Sequence, residues 1–172
     1  MRAAPIMLSL LTASIALPAI ADNIDIPARK PGQWKIEIKP ETAGAAPNMT
    51  MQICLDAVTD KALMQSGMTM AGGQCQTLSQ SKNGDQTIID STCDIGGMKT
   101  KSHVIISGDF QSNYSMQITS DMEGGSPKLP KHSVMTQNAT WMGECAEGMG
   151  PGDMLMPGGM KVNALKVMKP PS

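Results

Sequence analysis

Pro31-Gly32-Gln33-Trp34-Lys35-Ile36-Glu37-Ile38-Lys39 (PGQWKIEIK, residues 31–39) sets the fold class. Trp34, Ile36 and Ile38 alternate with Lys35, Glu37 and Lys39, a period of two that puts one face on a core and the other in water. Pro31-Gly32 punctuates the start of this strand and Pro40 its end.

The pattern continues on the C-terminal side. After a Gly/Ala/Pro loop, NMTMQIC places Met49, Met51 and Ile53 on one side and Thr50 and Gln52 on the other, a second strand. LDAVTDKALMQSG then changes period: Leu55, Val58, Ala62 and Leu63 fall near helical spacing, Asp56 stands where it caps the first turn, and Gly67 is placed as a C-terminal stop. Gln76 to Ser81 and Gln86 to Cys93 flank Asn83-Gly84, a hairpin signal because both turn residues must accept positive φ. A two-residue turn at Asn83 and Gly84 sets Cys75 opposite Thr92, one residue short of Cys93, and a single bulge would bring the cysteines into register. SHVIIS, the alternating stretch around Tyr114, Met116 and Ile118, and a strand from about His132 to Met142 follow, the first two joined by Gly108-Asp109. About seven strands and one short helix predict a mainly β protein, an antiparallel meander or small barrel. Beyond Cys145, Gly, Pro and Met dominate, and residues 146–172 read as a flexible Met/Gly/Pro-rich tail.

The N-terminal MRAAPIMLSLLTASIALPAIAD carries Arg2, an apolar run from Ile6 to Ile20 interrupted by Pro18, and a small-x-small end at Ala19-Ile20-Ala21. It reads as a signal peptide over residues 1–21, cut before Asp22, which predicts a periplasmic protein with no transmembrane segment in the mature chain. The β domain then covers residues 22–145. Its four cysteines, Cys54, Cys75, Cys93 and Cys145, are even in number and widely spaced, as expected for two disulfides in an oxidising compartment. The hairpin register favours Cys75 with Cys93 and Cys54 with Cys145, with sequential pairing of Cys54 and Cys75 as the alternative. The net charge is −1, and one Phe, one Tyr and two Trp leave neither a basic field nor a stacking platform for nucleic acid.

Four features together resemble an exported bacterial family known as domain of unknown function 3617: RKPGQWKI at Arg29 to Ile36, QICLD at Gln52 to Asp56 leading into a helix, Cys75 and Cys93 around a hairpin, and WMGEC at Trp141 to Cys145. The resemblance spans about Arg29 to Cys145 and implies a disulfide-bonded antiparallel β protein of the periplasm, without assigned catalytic residues. Gly32-x-Trp34 is also similar to the opening of lipocalin-type barrels, although no Arg follows Arg29 to pack over the Trp as is common there.

Two functions follow from these residues. A small lipocalin-like barrel lined by Trp34, Ile36, Ile38, Met51, Met116 and Ile118 would enclose a soft apolar cavity and act as a binding or envelope-interaction module for an apolar small molecule or partner. The alternative is copper(I) binding by the thioethers of Met149, Met154, Met156 and Met160 in the tail. An enzyme is not expected: charges such as Asp85, Asp109, Asp121 and Glu123 fall in turns, Gly72-Gly73 and Gly96-Gly97 lack the following Lys-Ser/Thr of a phosphate loop, and no cofactor fingerprint is present.

Overall fold

The computed structural model describes residues 25–42, 46–70, 75–95, 97–125 and 130–167. The expected signal peptide lies outside the described residues. In chain order the elements are β1 (Gly32–Pro40), β2 (Met49–Leu55), α1 (Ala57–Met70), β3 (Cys75–Asn83), β4 (Gln86–Ile95), β5 (Met98–Gly108), β6 (Asn113–Glu123), β7 (His132–Gly143), β8 (Asp153–Leu155), β9 (Lys161–Asn163) and α2 (Ala164–Val167). All nine strands form one sheet in the order β3-β4-β5-β6-β7-β1-β2-β8-β9, and each pair is antiparallel. The mainly β, antiparallel expectation holds.

The barrel does not form. β3 and β9 stand at opposite edges and do not pair among the described residues, so the sheet is open. Its core is closed by packing on one face. Trp34, Ile36, Ile53, Leu55, Ile89, Ile106, Tyr114 and Ala139 point to that face, and Leu63 of α1 and Phe110 of the β5–β6 loop join them in one cluster. Burying a side chain such as Leu55 or Ile53 stabilises the fold by roughly 1.5–3 kcal/mol. Asp56 caps α1 as its position predicts, its Oδ1 accepting from Thr59 N at 2.7 Å. Gly67 does not stop the helix, which continues to Met70; a helical glycine weakens a helix by about 1 kcal/mol relative to Ala without ending it.

The aromatic residues gather at one end of the sheet. Trp34 is wholly buried, its ring centroid 5.6 Å from Tyr114, and Phe110 stacks on Tyr114 at 4.9 Å. Phe110 reaches this position from a loop residue at φ 57°. Asp109 holds that loop: its Oδ1 accepts from the backbone N–H groups of Gln111, Ser112 and Asn113, and its Oδ2 from the Ser112 hydroxyl. The Ser112 side-chain bond, followed by the backbone bonds, keeps this carboxyl well below the usual carboxylate range. A depressed folded-state pKa contributes stability above the unfolded value of about 3.9 and loses it as pH falls below that value. The thermal midpoint is therefore expected to fall as pH drops from 5 to 2, and less steeply in Asp109→Asn; parallel pH profiles for the two proteins would refute this role.

Both disulfides pair as the hairpin register favours, Cys54 with Cys145 and Cys75 with Cys93. The route to the second differs by one residue from the expected turn. Asn83 pairs with Gln86, so the turn residues are Gly84 and Asp85, a register that without interruption would set Cys75 opposite Asp94. A shift between Thr77 and Ser79 restores Cys75 to Cys93.

The expected flexible tail is corrected as well. β8 pairs with β2, Gln52 facing Leu155 and Ile53 facing Met154, and β9 pairs with β8. The edge of β2 supplies the reason: its unpaired backbone groups accept a further strand, and the Cys54–Cys145 bridge delivers the chain beside it. Gly152 N donates to Cys54 O at 2.8 Å, and Ala164 N donates back to Gly152 O at 2.7 Å.

Candidate binding site beneath the helix

The segment preceding β1 runs under α1 and across the core face. It is tied to β3 by Asp25 N donating to Gln80 Oε1 (3.1 Å) and Gln80 Nε2 donating to Asp25 O (3.3 Å). At its other end Lys30 N donates to Phe110 O at 2.8 Å. The Trp34 indole N–H donates to Lys30 O at 2.8 Å, the Trp141 indole N–H donates to Pro31 O at 3.0 Å, and the Lys30 ammonium sits 3.5 Å from the centre of the Trp141 ring.

Arg29 joins this segment to both the helix and the sheet. Its backbone N donates to Asp60 Oδ2 at 3.0 Å, its Nε to Asp60 Oδ1 at 2.5 Å, and its Nη1 to the Tyr114 hydroxyl at 3.3 Å. The Arg29 side chain is 12% exposed and that of Asp60 3%. Burial alone would lower the Arg29 pKa, but Tyr114 and Asp60 outweigh it and raise the value, so the guanidinium stays charged. Gln137 Nε2 donates to the same Tyr114 oxygen at 3.3 Å.

Two cavities meet at this cluster. A smaller one of about 140 Å³ is walled by Ile26, Pro27, Met64, Phe110 and Met116, with Arg29, Tyr114 and Gln137 supplying polar groups. A larger one of about 350 Å³ lies between α1 and the N-terminal segment, lined by Ile26, Ala28, Ala57, Asp60, Lys61, Met64 and Gln65. They share Ile26 and Met64, and the Arg29–Asp60 pair bridges them, since Arg29 lines one and Asp60 the other. Apolar walls around a few convergent polar groups are the usual character of a small-molecule site.

The residues expected from sequence to line a cavity share the core face but meet different fates. Trp34 and Ile36 are packed solid in the core, and Ile38 and Met51 pack against it. Ile118 is half-buried further along β6. Of that set Met116 alone lines either of these cavities. The space that remains open lies over the sheet, under α1, and not between strands. Ile26, Arg29, Asp60, Met64, Tyr114 and Gln137 were not part of the expected set; the available signal was Arg29, the single Arg after residue 2.

The tail methionines are dispersed in role. Met154 packs against the core, Met149 and Met156 are half-buried, and Met160 is 60% exposed. Met156 N donates to Met160 O at 2.8 Å, closing the β8–β9 turn through backbone. On the opposite face of the sheet a groove of about 340 Å³ carries Asp90, Lys101, His103 and Asp121, with His103 Nδ1 2.7 Å from Asp90 and His132 Nδ1 2.8 Å from Asp121. Among the described residues no group of three or more His, Cys, Asp and Glu side chains is arranged to hold a metal ion. No helix among them is long and apolar enough to cross a membrane.

A family model described as "Protein of unknown function (DUF3617)" matches residues 29–145. Neither a curated protein nor a solved structure matches the chain.

Proposed function

The chain belongs to the DUF3617 family, and from that premise we propose that it is a non-catalytic, periplasmic binding module for an apolar small molecule, held beneath α1. The observation that carries this reading is the pair of adjoining cavities walled by Ile26, Met64, Phe110 and Met116. Two disulfides and the apolar N-terminal segment support the compartment. The sites of binding and of stability are separate here: Trp34, Ile36 and Leu55 fill the core, so a molecule under α1 need not displace them. Copper(I) binding through Met149, Met154, Met156 and Met160 is the weaker reading, because engaging the Met154 sulfur means withdrawing its side chain from the core.

The test uses the mature chain and N-phenyl-1-naphthylamine, a neutral fluorophore that brightens in apolar surroundings. Saturable brightening at one site per chain is expected. Met64→Trp, which fills the wall shared by both cavities, is expected to weaken it at least about tenfold, the equivalent of 1.4 kcal/mol. An absence of saturable binding, or equal binding by a folded Met64→Trp, would sink the proposal.

A further inference from the structure

Resting on that binding role, we infer that the site selects a single-chain amphiphile ending in a carboxylate, its head against Arg29, Tyr114 and Gln137 and its chain along the Ile26–Met64 wall. The hydrogen-bond arrangement points to an acceptor. The Tyr114 oxygen accepts from both Arg29 Nη1 and Gln137 Nε2, each at 3.3 Å, which leaves the phenolic proton to be donated elsewhere. Arg29 uses Nε on Asp60 and Nη1 on Tyr114, and its Nη2 has no partner among the described residues. A carboxylate has two oxygens that only accept, and these match a phenolic O–H and a guanidinium N–H beside each other.

The head-group donors favour an anion. Arg29 is paired with Asp60, and the second cation, Lys61, lines the larger cavity and not the smaller, so the preference rests on hydrogen bonding. A carboxylate offers the phenolic O–H and the guanidinium N–H two charged acceptors, an alcohol offers one neutral oxygen, and a trimethylammonium head offers none. The apolar parts of the two linings fit the remainder of the molecule: Ile26, Pro27, Met64, Phe110 and Met116 in the smaller cavity, continued by Ala28 and Ala57 in the larger, offer an alkyl chain a path that starts beside the head.

Competition against N-phenyl-1-naphthylamine separates this inference from the binding role beneath it. Dodecanoate, dodecanol and dodecyltrimethylammonium share a chain length and differ in head. At pH 7.5 dodecanoate is expected to displace the fluorophore at least about tenfold more tightly than dodecanol, the magnitude of a hydrogen bond to a charged group, with the ammonium weakest. In Tyr114→Phe and Gln137→Leu, checked for folding by their melting curves, the preference of carboxylate over alcohol is expected to shrink towards unity. Equal competition by dodecanoate and dodecanol, or a preference that persists in both folded variants, overturns the inference and leaves the apolar site standing. Failure of the fluorophore itself to bind overturns both.

Discussion

Gly32→Ala is expected to destabilise the protein by at least about 3 kcal/mol and to lower its thermal midpoint by about 6–12 °C. At φ 129° the glycine occupies backbone space that L-residues rarely enter, and a Cβ built there would lie 2.3 Å from the Gly143 carbonyl oxygen and 2.6 Å from the Trp141 indole nitrogen. The first obstacle is backbone and cannot rotate away. Relief requires β1 to part from the end of β7, where Gln33 faces Gly143, and with it the Trp141 contacts to Pro31 and Lys30. Gly84→Ala is the control: φ is 61° in the β3–β4 turn with nothing within 4 Å of the added carbon, so its cost is only the left-handed backbone, about 1–2 kcal/mol. Melting curves followed by circular dichroism decide the matter, and a Gly32→Ala midpoint within a few degrees of the parent would show that the close approach at β7 is not held tightly.

The same few residues show how far the sequence was legible. Alternation in β1, the Asp56 cap and the strand content are local, so periodicity and side-chain chemistry reveal them without knowledge of the partners. The cysteine pairing was reachable because a hairpin converts one long-range question into local register. Its turn was misplaced by one residue, since Gly84 takes positive φ in either placement and Asn83 does not decide between them. Gly32 reads as punctuation before a strand; that it must be glycine depends on Gly143 and Trp141, more than a hundred residues away, as the 110-residue separation of the Trp141–Pro31 bond illustrates.

The site was the least legible part for the same reason. Arg29, Asp60, Tyr114 and Gln137 come from four separate segments, and nothing in the spacing of any one of them signals the others. The likeness of Gly32-x-Trp34 to a lipocalin opening suggested an Arg from late in the chain. Here the Arg precedes the Trp and reaches Tyr114, which in turn packs on Trp34. An open sheet covered by a helix leaves its space under the cover, so alternation within strands pointed to Trp34 and Ile36, which fill the core, and missed Ile26 and Met64, which lie in the cover. Low-complexity composition misled at the tail, because a three-residue strand such as β8 needs only a free neighbouring edge and carries almost no pattern of its own.

Removing the Cys54–Cys145 bridge in a Cys54→Ala/Cys145→Ala variant is expected to destabilise the protein by about 4–5 kcal/mol, against about 3 kcal/mol for Cys75→Ala/Cys93→Ala. The difference follows from the loops that the bridges close in the unfolded chain, with separations of 91 and 18 residues. The longer loop contains α1 and every strand from β3 to β7. Its loss also frees the point from which the chain returns to β2, so the Gly152–Cys54 backbone bond and the β2–β8 pairing are held only by their own contacts. Urea unfolding of both variants without reductant measures the costs. The dependence of stability on urea should also rise more for the Cys54/Cys145 variant, because its unfolded chain expands further and exposes more surface. Equal costs would shift the explanation from chain entropy to packing, with the burial of Cys54 beneath the tail then setting the stability of that edge.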